Sequence, residues 1–425
     1  MPPPEGPETM SALAERAGTP ASALNLTPVR RAGERARPWH SITISSDPAA
    51  LEAEWRSLEA AALVTPYQAY GWIRPFVETV GAAHGAEFRY AALRDAAGRT
   101  QALLPLALTR RNGVRFGEFI GGKHANYHMG LYAPDFAAAL DAAAARALLV
   151  EIGTAIGDLD AFIFVNQPRE WQGVPNPLAQ LAAGPSPSGA YKLALEGRDC
   201  EGSLRRSMSS HARKKLKNKR NRFASFGSSV LRKAETPEDI ERVVAAFLNQ
   251  KAARFASMGI PNPFAEPALG DFLRQGASRD HGEAPVLELY SLDLDGRCVA
   301  TYVGAVQGRR FSGMATSFDM DGELAKSSPG EILLVDLIKL KCRAGIEVFD
   351  LGVGEARYKT TVCDDRDELV DTFLPLTPKG HAFVLFSRAK RAAKRRIKSS
   401  PVALRLAQRA SGWLNRNRAL ATDDD

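Results

Sequence analysis

Residues 319–359 restrict the possible folds more than any other stretch. Ser328, Pro329, Gly330 and Glu331 read as the start of a helix. Serine suits the N-cap, proline the first helical position, and a glutamate three residues on completes a capping box. Ile332, Leu333, Val335, Leu337, Ile338 and Leu340 supply a wide apolar face, and Gly345 stops the helix. Residues 346–351 are short, β-branched and apolar, as a buried strand would be. Gly352 and Gly354 follow at once, where the chain must turn or let a ligand come close. A helix start of this kind offers backbone N–H groups to an anion such as a pyrophosphate. The same four residues also serve an ordinary helix start. The turn at Ala344 and Gly345 is short, so the helix runs antiparallel to the strand. Its N-terminus and residues 352–359 are therefore expected to face one cleft.

The rest of the chain repeats this order. In the first half, helical patterns over 48–62 and from Pro66 precede three strands, 88–94, 101–110 and 114–120. Asn112-Gly113 is a strong hairpin signal between the last two. An alanine-rich helix over 137–156 and a strand over 160–165 follow. In the second half, helices over 237–257 and 266–275 precede strands over 286–292, 298–306 and 310–317, then the capped helix and its strand. Helices, a three-strand meander, a helix and a strand thus occur twice. A helix between meander and strand implies a crossover to a parallel neighbour, hence a mixed sheet. The loop 184–189 looks like the boundary between the halves, with Tyr191 to Leu195 crossing it as a strand.

The chain has 425 residues, enough for two domains, and a net charge of +8 that favours an anionic partner. Nine of the twenty residues 203–222 are Lys or Arg, and the pattern reads as one basic amphipathic helix. Residues 388–398 form a second basic helical run behind the apolar Phe383, Val384, Leu385 and Phe386. Either could meet an anionic membrane surface or RNA, or be solvated. Cys200, Cys298, Cys342 and Cys363 are scattered and read as reduced thiols of a cytoplasmic protein. No histidine or cysteine cluster has metal-ligand spacing, and no metal is expected; His124 and His128 lack nearby cysteine or carboxylate partners and read as surface or interface residues. No apolar run is long enough to span a bilayer. Residues 1–38 have the composition of a disordered segment.

The order and spacing of several short motifs resemble a known family. They are Phe247 through Met258-Gly259, Cys298-Val-Ala300, Phe318-Asp319, Ser328-Pro329-Gly330, Phe349-Asp350-Leu-Gly352 and Glu355-x-x-Tyr358-Lys359. In the first half they are Pro66-Tyr67-Gln68, Trp72, Leu104-Pro105-Leu106 and Tyr127. Together they resemble the acetyltransferase-like proteins of the CelD/BcsL type, associated with bacterial cellulose biosynthesis. These belong to the GNAT superfamily and are similar to the Fem aminoacyl transferases. The resemblance implies an α/β fold of two tandem GNAT-like domains, each a mixed, mostly antiparallel sheet flanked by helices. The expected division is a degenerate domain over 39–190, an acetyltransferase domain over 191–385, and a basic helix and tail over 386–425. It implies acetyl-CoA or another acyl-CoA as co-substrate and an amine or saccharide hydroxyl as acceptor, in a cytoplasmic protein that could be peripheral at the inner membrane. The alternatives are an aminoacyl-tRNA-dependent transferase and a non-catalytic scaffold. The donor loop departs from the better-known GNAT pattern, because Lys326-Ser-Ser-Pro-Gly-Glu carries one glycine.

Acyl transfer needs a base, an oxyanion donor and tight positioning. Glu355 and Asp319 are the candidate bases, Tyr358 the candidate acid for a leaving thiolate, and Lys359 the candidate oxyanion donor. Ser328, Pro329, Gly330, Glu331, Gly352 and Gly354 are expected to hold the acyl donor. Each has a plainer reading: solvated carboxylates, a half-buried tyrosine, ordinary turn glycines. Asp350, at a strand end, suits a cap on the glycine turn.

Overall fold

The computed structural model describes residues 37–399, except 63, 198 and 279–284. The segment expected to be disordered lies outside the described residues, apart from 37 and 38, as does the tail beyond 399. The two repeated α/β units are present. The first contributes strands β1 (Ser41–Ser45), β2 (Glu87–Arg94), β3 (Thr100–Arg111), β4 (Val114–Phe119), β5 (Ala161–Pro168), β6 (Ala182–Pro185) and β7 (Ala190–Ala194). The second contributes β8 (Ser229–Lys233), β9 (Glu288–Leu294), β10 (Arg297–Gln307), β11 (Arg310–Phe318), β12 (Val348–Val353), β13 (Asp365–Asp367) and β14 (Leu369–Pro375). The meanders fall where the turn residues put them. Asn112 and Asp295 take the left-handed conformation that tight hairpins require, each followed by a glycine that does the same.

The sheets do not respect the expected boundaries. One runs β1-β2-β3-β4-β5-β14-β6 and the other β8-β9-β10-β11-β12-β7-β13. Each unit gives its last strand to the other: β14 inserts between β5 and β6, and β7 between β12 and β13. The expected domain 191–385 is corrected accordingly, since residues 369–375 complete the first sheet. Only β4 with β5 and β11 with β12 are parallel, and a helical crossover joins each pair.

Helices α1 (Glu52–Glu59), α2 (Tyr70–Phe76) and α3 (Ala142–Ile156) belong to the first unit. The basic run is two helices rather than one, α4 (Cys200–Ser207) and α5 (Ser210–Ala224). Met208 is buried between them, and the Ser209 side chain caps α5 by accepting from the Ala212 N–H. Then come α6 (Pro237–Met258), α7 (Pro267–Ala277), α8 (Pro329–Arg343), α9 (Arg357–Val362) and α10 (Pro378–Ser399). The halves share an apolar core: Phe272 of α7 meets Trp72 edge-on at 5.2 Å and Phe76 at 5.6 Å. Such contacts fix the units against each other through apolar burial and ring geometry.

Two sequence expectations fail through packing that no local pattern encodes. Cys200 and Cys342, read as free thiols, form a disulfide, because α4 lies against α8 and brings their Cα atoms to 5.7 Å. Of His124 and His128, read as surface or interface residues, His128 is 3% exposed with Nδ1 3.0 Å from the Val165 carbonyl, and His124 is half-buried against Phe76 and Phe264. Burial holds both imidazoles down to about 4. A histidine in the unfolded chain titrates near ~6.5, so between these values the unfolded chain binds more protons. Stability present above pH ~6.5 is thus lost as the pH falls toward about 4. Urea midpoints measured across that window should fall steadily, and His128→Gln should flatten the slope. An unchanged slope would show that His128 does not titrate with unfolding.

Candidate active site

Strands β11 and β12 are hydrogen-bonded over three residues only, Arg310, Phe311 and Ser312 against Val348, Phe349 and Asp350. Beyond that they part. The register of β10 against β11 slips between Val303 and Gly304, leaving Met314 as an extra residue, and such a bulge bends its strand. On the other side Gly352 and Gly354 have φ of +71° and +110°, which turn the chain out of β12.

The gap is bridged by a side chain from the first unit. Asn126 donates from Nδ2 to the Gly313 carbonyl at 2.9 Å, and its Oδ1 accepts from the Val353 N–H at 3.2 Å. One amide thus stands in for a peptide rung between the split strands. Its Nδ2 also lies 2.6 Å from the Tyr67 hydroxyl. A Cβ on Gly352 would collide with this amide, so glycine is required there for space as well as for φ.

Beneath the split lies a buried ion pair. Asp350 is fully buried; its Oδ2 accepts from Arg310 Nη2 at 2.8 Å and Nε at 3.1 Å. Its Oδ1 accepts from the Gly352 N–H at 2.7 Å and the Tyr127 hydroxyl at 2.9 Å. The Arg310 guanidinium stacks 4.3 Å from the Trp171 ring. Asp350 caps the glycine turn, as its place at a strand end suggested.

A pocket of about 240 Å³ opens beside the split, between the end of β11 and the start of α8. Tyr302, Thr316 and Phe318 form its strand wall, and Ser328, Gly330 and Glu331 its helix wall. Tyr358 at the start of α9 closes it. The predicted capping box does not form. Ser328 sits in the left-handed region at φ +56° and its side chain caps nothing. Its N–H already closes a turn onto Ala325, and Pro329 disfavours the right-handed helical region at the residue before it. The Glu331 carboxylate is taken by Lys219 of α5 instead. The N–H groups of Glu331 and Ile332 return to the Ser328 carbonyl, so Gly330 is the first helical residue whose N–H is not drawn back. The Gly330 Cα lies close to the strand wall, where a Cβ would stand 3.2 Å from the Phe318 ring.

Helix α5 is strapped along α8 near this pocket. Lys219 pairs with Glu331, Arg220 with Asp336 at 2.6 Å, and Arg222 with Glu323. Arg206 of α4 pairs with Asp364 and Glu196. Arg206, Lys219, Arg220 and Arg222 of the basic run are therefore paired with acids elsewhere in the chain. Lys214, Lys215 and Lys217 make no ion pair among the described residues.

The candidate catalytic residues separate. Tyr358 lines the pocket, and burial pushes its phenol up to about 12, so it is a proton donor at neutral pH. Burial also raises Tyr302, whose ring lies against Gly313. Lys359 does not line the pocket. It is 7% exposed, and its Nζ donates to the Gly352 and Val353 carbonyls at 3.0 Å each. Desolvation lowers it to about 8. Those bonds hold its ammonium on the carbonyls of the glycine loop, outside the lining of the pocket. Glu355 is bonded to the Tyr191 hydroxyl and to Arg366 at 2.9 Å. It lines a different groove of about 670 Å³ with Arg366, Glu368 and Arg395, where β6, β7 and β14 come together. Asp319 joins neither cavity; it pairs with Arg297 at 3.1 Å and accepts from the Asp321 N–H, as a loop carboxylate does. Gly354 donates to the Gly189 carbonyl at 3.2 Å and so fastens the loop to β7. Asn126, Arg310, Tyr302 and Thr316 were missed. A hairpin-flanking arginine and a lone amide in a loop have no spacing signature, and only the three-dimensional split gives them a role.

No curated protein matches the sequence significantly. Residues 210–360 match the family described as "Acetyltransferase (GNAT) domain". This span holds α5, the bulged strand β11, the α8 start and Tyr358. Among solved structures, FemX matches with a TM-score of 0.55 at 9% identity, over 79% of this chain and 98% of that one. The L-PGS structure from Bacillus licheniformis matches with a TM-score of 0.47 at 12% identity, over 82% and 98%. A tandem GNAT protein from the clavulanic acid biosynthesis pathway matches with a TM-score of 0.43 at 13% identity, over 79% and 99%. A GNAT domain implies an acyl-coenzyme A-type donor. The chain carries a GNAT acetyltransferase domain within a tandem α/β GNAT-like fold distantly related to that of FemX, and it is an acyltransferase.

Proposed function

We propose that the chain transfers a short acyl group, acetyl first among them, from acyl-coenzyme A to an amine or hydroxyl of a saccharide acceptor. The setting implied by the resemblance is cellulose or another envelope polysaccharide. The observation that carries this reading is the pocket between the split strand β11 and the start of α8. Its polar end is a helix N-terminus with Lys219 beside it, which suits phosphates. Its volume of about 240 Å³ accommodates a thioester arm with a short acyl group.

The acceptor enters from the groove that holds Glu355. Glu355 takes the acceptor proton as its nitrogen or oxygen attacks the carbonyl carbon. Backbone N–H groups at the Gly313–Met314 bulge meet the developing oxyanion in place of Lys359, which holds the glycine loop in position. As the carbon–sulfur bond breaks, Tyr358 protonates the thiolate. Tyr358 lines the donor pocket and Glu355 the acceptor groove, three positions apart in the chain, and transfer requires the acceptor nucleophile to reach the thioester past the loop that joins them.

The test is calorimetric titration with acetyl-coenzyme A. Gly330→Val places two methyl groups against Phe318 and fills the pocket, so the donor Kd should rise by about 10²-fold or more while the fold is retained. Equal affinity in the variant would remove the donor from this pocket. A second reading has one observation in its favour: Lys214, Lys215 and Lys217 are exposed on α5, near the same pocket, as a tRNA-linked donor would require. Native mass spectrometry of the purified chain separates the two by the ligand retained.

A further inference from the structure

We propose that α10 is an interfacial helix that rests this protein on an anionic lipid surface. The structure distinguishes it from the other basic run. Lys219, Arg220 and Arg222 of α5 are engaged with acids of α8 and of the short helix before it while Lys214, Lys215 and Lys217 are exposed, but only α10 presents its free cations together with strongly exposed, large apolar side chains.

Four contacts fix how α10 is rotated. Val384 is 5% exposed in a small core with Phe116 and Ala161, and Phe383 stacks on Phe116 at 5.4 Å. Arg391 pairs with Asp371, which is itself buried, and Arg395 donates to the Pro185 carbonyl at 3.0 Å. With the inner face held, Leu385 and Phe386 are left outward at 70% and 61% exposure. These are the largest exposures among the large hydrophobic residues described. Helical periodicity places the exposed Ala389 and Ala393 on the turns after Leu385, and the exposed Lys390 one turn after Phe386. Arg388, Lys390 and Lys394 make no ion pair among the described residues.

A leucine and a phenylalanine side by side, rimmed by cations on one rigid helix, fit the boundary between lipid headgroups and acyl chains. The rings enter the boundary and the lysines remain with anionic phosphates. RNA would engage the cations and leave Leu385 and Phe386 without a partner. A second copy meeting the same face would set Lys390 and Lys394 against their own equivalents. Charge complementarity therefore selects an anionic bilayer.

The test uses the full chain and sedimentation with vesicles of phosphatidylcholine alone or mixed with phosphatidylglycerol. Binding should be at least about tenfold tighter to the anionic vesicles and should weaken with salt. The pair Leu385→Ser and Phe386→Ser should lower that binding about tenfold or more, and so should Lys390→Glu with Lys394→Glu. Lys214→Glu with Lys215→Glu on α5 should leave it unchanged. Thermal melts establish that each variant is folded. Equal binding to both vesicle types, or binding indifferent to the Leu385 and Phe386 pair, would overturn the proposal. So would a dimer on size exclusion that those two substitutions dissociate, because the face would then belong to a second copy.

Discussion

Asp350→Ala should lower the free energy of unfolding by about 3–5 kcal/mol, the usual cost of leaving one partner of a buried ion pair alone. The substitution strands three donors at once: the Arg310 guanidinium, the Gly352 N–H and the Tyr127 hydroxyl. Arg310 cannot turn to water easily, because its side chain is 13% exposed and stacked on Trp171. Burial alone would lower its pKa, and the Asp350 charge more than offsets that, which shows how closely the two are coupled. Replacing both partners, as Asp350→Asn with Arg310→Met, should recover a large part of the loss, since a buried charge no longer lacks its counterpart. Urea unfolding of the two single variants and the double variant measures this, with constant m confirming a shared denatured state. A loss below about 1 kcal/mol in Asp350→Ala would mean that the site relaxes or admits water.

Tyr358→Phe should lower kcat by about 10²–10³-fold with the donor Kd unchanged, the scale expected for losing a general acid. The ring stays, so the pocket wall and its apolar contacts stay. Only the proton donor is lost. With its phenol at about 12, Tyr358 is fully protonated at working pH, and wild-type kcat should show no loss from this group below that value. A leaving thiolate must then depart without a proton in the variant, and poorer leaving groups should suffer more. Thioester analogues with more acidic thiols should restore part of the rate. An unchanged kcat on an identified acceptor would reduce Tyr358 to a wall residue.

Local chemistry made part of this molecule legible. Asn112-Gly113 placed the last hairpin of the first meander, and the apolar run after Pro329 placed the central helix. Pairing across long separations was not legible. No residue in 369–375 says that its neighbours are β5 and β6 rather than the strands just before it. The capping box failed for a related reason: Ser328 and Glu331 have the right spacing, but a lysine 112 residues away takes the glutamate. Lys359 shows that a position in the chain does not give a direction in space. It follows the glycine loop as expected, yet the carbonyls of that loop are the groups it reaches. Asp350 was readable because its role is local, two residues from the N–H it accepts.

The exchange of β7 and β14 between the units ties synthesis to structure. While the ribosome is still making the second half, the first sheet has a vacant slot between β5 and β6, and two strand edges there wait for residues 369–375. A chain truncated just before 369 therefore leaves the first sheet, not the second, short of a strand. A gene cut in the 184–189 loop yields a first fragment that lacks β14 from between β5 and β6, and a second that keeps β7 but carries β14 without its sheet, so the first should not fold alone, whereas mixing the two should restore it. The duplicated units can diverge in sequence but cannot be inherited separately.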